Sequence, residues 1–284
     1  MNFSPNLVFM KVTDHSVSKK TFELLFDEEL QLLKTSPQPS LNELPSYYES
    51  NDYISHTDAK RTFFEKLYHL VKKQALKNKV GLISTQHPQK GDLLDIGAGT
   101  GDFLIEAKNA GWNTIGFEPN KKAKQIALSK NVCLTDSLEN LSPHSFDVIT
   151  MWHVLEHVPD VEKQIAVLKS LLKPNGTIII AVPNYKSFDA QYYKSFWAAY
   201  DVPRHLWHFS KISIQKIFQK QQLQLYSIKP MWFDSFYVSL LSEKYQHGKI
   251  NYLKGFTIGL LSNIIGFVKK EFSSHIYIIK NTKS

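Results

Sequence analysis

His153, Glu156 and His157 fall within five consecutive positions of the stretch MWHVLEHVPD, residues 151–160. On one helical turn they occupy i, i+3 and i+4 and share a face. Imidazole and carboxylate at that spacing support three kinds of chemistry. They can ligate a divalent cation, they can move a proton, because an imidazole titrates near neutrality, or they can tie a loop to the core through ion pairs. A second group of the same residue types lies in YDVPRHLWHFS, residues 200–210, with Asp201, Arg204, His205 and His208. Arg204 could pair with Glu156 or hold an acidic group. Pro159 limits a helix through the first cluster to about one turn.

The elements that must position these residues alternate between strand and helix over 90–182. GDLLDI, NTIGFE, NVCLT, FDVITMW and TIIIAVPN are short apolar or β-branched runs. DFLIEAKNAG, KKAKQIALSK and VEKQIAVLKSLLKPNG separate them as amphipathic helices, the last with Lys173 in its final turn before a Pro-Asn-Gly stop. Such alternation predicts right-handed βαβ units and a parallel sheet covered on both faces. KISIQKIFQKQQ then reads as helix, and LQLYSIK and SHIYIIK as strands. The aromatic-rich stretch 183–210 and the stretch 230–273 are too long for ordinary connections, which suggests functional elaboration. The fourth run, FDVITMW, would deliver Trp152 and the His-Glu-His cluster to the C-terminal sheet edge, where ligands bind in open α/β sheets.

The loop DLLDIGAGTGDF, with glycines at 97, 99 and 101, joins the first strand to the first helix. The dinucleotide fingerprint would place its third glycine at position 102, where this chain has Asp102. A carboxylate at a helix N-terminus takes the place of an incoming phosphate, so the loop suits a ligand without phosphates. Asp95, ending the first strand, could accept from a cationic amino group. Glu118, ending the second, could take both hydroxyls of a ribose, and Asp136, after the third, could accept from an exocyclic amine. Those three needs together describe S-adenosylmethionine.

DIGAGTG, GFEPN, TDSLENL, FDVITMWHVLEHVPD and LLKPNGTIIIAVPN occur in the order and spacing of the class I SAM-dependent methyltransferases, which residues 60–230 and the final strand resemble. The LEHV motif is shared with the ubiquinone-pathway O-methyltransferases. The resemblance implies a Rossmann-like α/β fold with a mostly parallel seven-stranded sheet in the order 3-2-1-4-5-7-6, strand 7 antiparallel. It implies cofactor contacts from Asp95, Gly97, Ala98, Gly99 and Gly101, from Glu118 and Pro119, and from Asp136, Ser137 and Trp152. Acceptor-side residues would be Tyr53, His56, Trp197, Asp201, Arg204 and His208. His153 is the first candidate base, with His157 and His205 beside it. Some relatives hold a divalent ion with Glu-x-x-Glu-His and a further His. Here His153 replaces the first Glu, and activity without a metal is the expectation.

The methyltransferase domain is expected over 58–284, preceded by an extension at 1–57 that resembles a zinc ribbon found ahead of some relatives. Asp27 and Leu30 stand where its cysteines would be, so the ribbon would be either metal-free and held by Phe22, Leu24, Phe26 and Leu32, or drifted away from that fold. Cys133 is the sole cysteine, which excludes a disulfide framework within the chain. No signal-peptide pattern opens the sequence, and no apolar run is long enough to span a bilayer, so a cytoplasmic location is expected. The net charge is +8, yet only Arg61 and Arg204 are arginines. Base and phosphate recognition favour arginine forks, so nucleic acid is not an expected partner. The expected activity is methyl transfer to a small-molecule acceptor, a hydroxyl in the leading reading. An RNA 2′-O-methyltransferase and a non-catalytic SAM-binding module serving a partner protein are the alternatives. The stretch KGFTIGLLSNIIGFVKK reads either as a helix packed between the last two strands or as an interfacial helix with lysines toward anionic headgroups. The second reading implies a hydrophobic acceptor met at the inner membrane face.

Overall fold

The computed structural model describes residues 7–40, 42–48 and 63–282. Its centre is a seven-stranded sheet of β4 (Asp92–Ile96), β5 (Asn113–Phe117), β6 (Leu134–Thr135), β7 (Phe146–Trp152), β8 (Leu172–Pro183), β10 (Leu223–Pro230) and β11 (Ser274–Asn281). The order is β10-β11-β8-β7-β4-β5-β6. Counted from β4, that is the expected 3-2-1-4-5-7-6, read from the other edge. β4, β5, β6, β7 and β8 pair in parallel, and β11 runs antiparallel to both β8 and β10. The apolar runs DLLDI, FDVITMW and TIIIAVP become central strands because helices cover both faces. Leu94, Ile96, Ile149, Met151, Ile178 and Ile180 lie in one buried cluster. Removing one such side chain to alanine costs about 2–5 kcal/mol, so this layer holds the site above it rigid.

The covering helices are α1 (Phe63–Gln86), α2 (Asp102–Asn109), α3 (Lys121–Ser129), α4 (Val161–Leu171) and α6 (Lys211–Gln219). Side chains cap three of them as the sequence allows: Asn120 accepts from Lys122 and Ala123 at α3, Asp160 from Lys163 at α4, and Ser210 from Ser213 at α6. The α4 boundary differs from expectation. The helix stops at Leu171, and Lys173 enters β8, because its Nζ reaches Asp92 and Asp147 at 2.8 and 2.7 Å.

β1 (Leu7–Thr13), β2 (Thr21–Asp27) and β3 (Leu32–Ser36) form an antiparallel sheet that β9 (Trp207–His208) completes. Phe22, Leu24 and Leu32 are buried and Phe26 half-buried. Asp27, at an expected cysteine position, accepts from the Leu30 N–H at 2.7 Å and shapes the turn. Leu33 and Lys34 pair with His208 and Trp207. The N-terminal strands and the 183–210 segment are thus one packed unit. That segment contains α5 (Phe188–Tyr193) and buries Tyr185, Tyr193, Trp197, Tyr200 and Phe209. Residues 230–273 form the hairpin α7 (Asp234–His247) and α8 (Tyr252–Lys269), which packs on α5.

Candidate active site

Strand order reverses direction at β4, whose neighbours are β5 and β7, and ligand clefts form at such switch points. The glycine loop sits there. Gly97 and Gly99 have φ of 74° and 54°, values that cost other residues about 1–2 kcal/mol. Gly97 is closed in as well: a Cβ there would lie 2.3 Å from Val154 Cγ2. Gly99 has nothing within 4 Å of that position, so its side of the loop is open. Backbone N–H groups of Gly97 and Ala98 donate to Phe117 O at 2.8 and 3.1 Å. Gly101 precedes α2, whose first residue, Asp102, pairs with Lys72 and Lys130, each at 2.7 Å. A phosphate at this terminus would meet a carboxylate.

Glu118 follows β5 and bridges the loop. Its Oε2 accepts from Gly99 N–H and its Oε1 from Asn120 N–H, both at 2.7 Å, across Pro119. Asp95 is buried at the end of β4, accepting from Thr150 Oγ1 at 2.6 Å, and burial pushes its carboxyl above the ordinary range. Asp136 is exposed and turned toward Lys124. Ser137 caps the following turn by accepting from Glu139 N–H at 3.1 Å. Trp152 ends β7, edge-on to Phe103, and its buried Nε1 has no hydrogen-bond partner among the described residues.

Sequence reasoning missed Lys79. It comes from α1, where nothing in the local pattern sets it apart. Its Nζ lies 4.4 Å from the Trp152 ring centroid. Burial draws its ammonium below the ordinary value while Asp95 and Asp234 pull the other way. Asp234, the first residue of α7, was missed too, and it decides the state of His153. His153 Nε2 donates to Asp234 at 2.9 Å and Nδ1 donates to Glu156 at 3.3 Å. Burial lowers the imidazole's pKa, but Asp234 and Glu156 outweigh it and raise the value to about 10. His153 is therefore a cation held between two carboxylates at neutral pH.

The consequence for stability follows from the sign of the shift. The folded pKa exceeds the unfolded value, so the stabilisation is complete below about 6.5 and is lost as pH rises through about 10. Urea unfolding followed over that window should show wild-type stability declining with a slope that His153→Gln lacks. Equal slopes in the two proteins would remove the ion-pair description.

Backbone carbonyls anchor the two imidazoles nearest His153's turn, His157 and His205. His205 Nδ1–H donates to Ala199 O at 2.9 Å, and burial, with His157 beside it, holds its pKa well below the ordinary value. His157 Nδ1 lies 3.0 Å from both Arg204 O and Tyr48 Oη. Since a carbonyl only accepts, Nδ1 of each ring carries a proton, which leaves Nε2 as the atom that could accept one. The two rings meet edge-to-face at 4.6 Å. Glu156 is buried, and its Oε2 has no hydrogen-bond partner among the described residues. One ligand atom each from Glu156, His157 and His205 lies within 4.8 Å of the others, a set that could hold a divalent cation.

Several residues expected on the acceptor side are engaged within the protein. Trp197 is buried and its Nε1 donates to Asp189 at 2.7 Å. His208 is buried against Thr35 Oγ1 at 3.0 Å, and burial lowers its pKa to about 3. Arg204 turns away from Glu156. It pairs with Asp201 through both carboxylate oxygens and donates to Tyr47 O at 3.1 Å and Ser16 Oγ at 2.6 Å. Tyr53 and His56 lie outside the described residues.

With this geometry in place, comparison with known proteins is informative. The model of a methyltransferase domain family matches residues 63–228, more than half of the chain. An uncharacterized methyltransferase from Bacillus cereus strain 03BB102 is 34% identical over 107 residues, covering 35% of this chain and 50% of the relative. The chain thus spans about half the length of the curated relatives it matches. Among solved structures, magnesium protoporphyrin IX methyltransferase from Synechocystis PCC 6803, with bound SAH, superposes with a TM-score of 0.57 at 15% identity. That match covers 85% of this chain and all of the other (100%). A SAM-dependent methyltransferase from Thermotoga maritima gives a TM-score of 0.52 at 21% identity, covering 78% of this chain and 96% of that one. At these identities the superpositions speak to fold, and the family match covers the glycine loop, Glu118, Trp152 and the imidazole cluster: this chain belongs to the methyltransferase domain family.

Proposed function

We propose that the protein transfers the methyl group of S-adenosylmethionine to the oxygen of a small-molecule hydroxyl acceptor. One observation carries the reading: an open, phosphate-averse glycine loop rimmed by Asp95 and Glu118 stands at the same sheet edge as Trp152 and two imidazoles, His157 and His205, whose Nδ1 atoms are held by backbone carbonyls. Family membership and the fold of the SAM-dependent neighbours support it. The cofactor supplies an electrophilic methyl group when bound. Glu118 would hold the ribose, Asp136 and Ser137 the adenine end, and Asp95 with Lys79 the charged amino acid end, beside the unpartnered Trp152 Nε1. An in-line displacement needs alignment and exclusion of water, and a weakly acidic hydroxyl also needs a proton acceptor. Nε2 of His157 is placed for that, being the less buried of the pair, with His205 kept neutral behind it. His153, already protonated, instead fixes Glu156 and the turn that presents His157. Arg204 is committed to Asp201, which leaves the RNA reading without an arginine at the described site.

Methyl transfer from labelled S-adenosylmethionine to a panel of hydroxyl, amine and carboxylate acceptors tests the proposal. Transfer should favour hydroxyls, fall on His157→Ala, and survive chelation of divalent ions. The Glu156–His157–His205 cluster favours a second reading, a metal-assisted transfer. Loss of activity on chelation, together with stoichiometric zinc that disappears in His157→Ala, would establish that one instead.

A further inference from the structure

The helix α8 is built inside out. Gly255, Gly259, Ser262, Asn263 and Gly266 face the protein. A Cβ on Gly255 would lie 2.8 Å from Leu240 Cδ2, and one on Gly259 would lie 2.9 Å from the Phe236 Cα, so only the smallest residue lets α7 come this close. The same face buries one large aliphatic side chain, Ile258, against Val238 and Tyr193, and otherwise meets polar groups as well as apolar ones. Ser262 Oγ donates to buried Asp189 at 2.7 Å, and Ser273 Oγ to the same carboxylate at 2.6 Å. The outer face carries Leu253, Phe256, Leu260, Ile264, Phe267 and Val268, all exposed, Leu253 by 81% and Val268 by 75%. Their spacing makes one continuous stripe. An amphipathic helix folded for water alone puts that stripe inward, and a patch of this kind marks an interaction surface.

The charges around the stripe identify its occupant. Residues 244–270 contain five lysines and no carboxylate. Nearby acids are turned inward or paired: Glu243 is buried with Tyr193 Oη at 3.0 Å and Lys254 at 3.1 Å, and Glu271 pairs with Lys211 at 2.9 Å. Lys249 precedes the stripe, and Lys269 and Lys270 follow it, with Lys270 Nζ 4.6 Å from the Phe267 ring centroid. Trp232 and Phe233, at the start of α7, are exposed as well. No described helix is long and apolar enough to cross a membrane. In a two-fold dimer through this face, lysines at both ends of one helix would meet lysines of the other.

We infer that α8 lies flat on an anionic lipid surface, with the stripe at the acyl boundary and the lysines among headgroups. The inference does not depend on the methyl-transfer reading, and its test uses no cofactor. Sedimentation with vesicles of equal parts phosphatidylglycerol and phosphatidylcholine should pellet the protein at low salt and much less at high salt. Pure phosphatidylcholine vesicles should leave it in the supernatant. The triple substitution Leu260→Ser, Ile264→Ser, Phe267→Ser should abolish pelleting while leaving the thermal melt intact, since these side chains are exposed. Changing Lys249, Lys269 and Lys270 to Gln should cost about fivefold in vesicle affinity per lysine. Equal recovery in the supernatant with both vesicle types overturns the inference. So does a light-scattering mass of a dimer that the apolar triple variant converts to a monomer, because the face would then be an interface between copies.

Discussion

Glu118→Ala should bind S-adenosylmethionine about tenfold or more weakly than the wild type in a calorimetric titration. The carboxylate spends one lone pair on Gly99 N–H and one on Asn120 N–H, and a carboxylate offers about four such sites. Two remain for the ribose hydroxyls. A hydrogen bond to a charged group contributes about 1.5–3 kcal/mol, and about 1.4 kcal/mol is a factor of ten in affinity. The alanine variant also unties the loop from Glu118, so the loss should reach at least that scale. Glu118→Gln keeps one acceptor oxygen and should fall between. A folded Glu118→Ala protein with unchanged affinity would remove Glu118 from the ribose and with it the placement of the cofactor.

The second large effect is on stability. Arg204→Ala should destabilise the protein by about 3–5 kcal/mol, the usual result of stranding one member of a buried ion pair. Arg204 is 5% exposed and ties Asp201, the Tyr47 carbonyl and Ser16 together, so it joins the N-terminal strands to the segment after β8. Although burial raises Asp201, Arg204 holds that carboxyl below its ordinary value. Arg204→Lys keeps a charge but not the planar fork, and it should recover only part of the loss. The measurement is denaturant unfolding beside acceptor kinetics. A variant with wild-type stability and a raised KM would make Arg204 the substrate clamp that its sequence position first suggested.

That contrast shows where sequence reading reaches. The sheet was legible because its strands are continuous apolar runs and its loop glycines sit at a strand-helix junction, both local signals. The positions of Glu118 and Trp152 at strand ends were legible for the same reason, since topology fixes strand ends. His153 was not. Its own neighbours predict a titrating imidazole, while the group that raises it, Asp234, arrives from α7 far along the chain. Trp197 and His208 carry side chains suited to an acceptor mouth, and only the packing of the N-terminal sheet against 183–210 buries them. The composition of α8 announces an apolar helix but not which face turns inward. That depends on glycines and serines meeting a buried carboxylate, Asp189.

The central claim is that the glycine loop at the β4 edge holds the nucleoside of the methyl donor. A crystal structure with S-adenosylhomocysteine tests it most directly. The account predicts ribose hydroxyls on Glu118, the adenine over Asp136 and Ser137, and the homocysteine end between Asp95, Lys79 and Trp152. A ligand bound elsewhere, with Glu118 still engaging only Gly99 and Asn120 at saturating concentration, would contradict it.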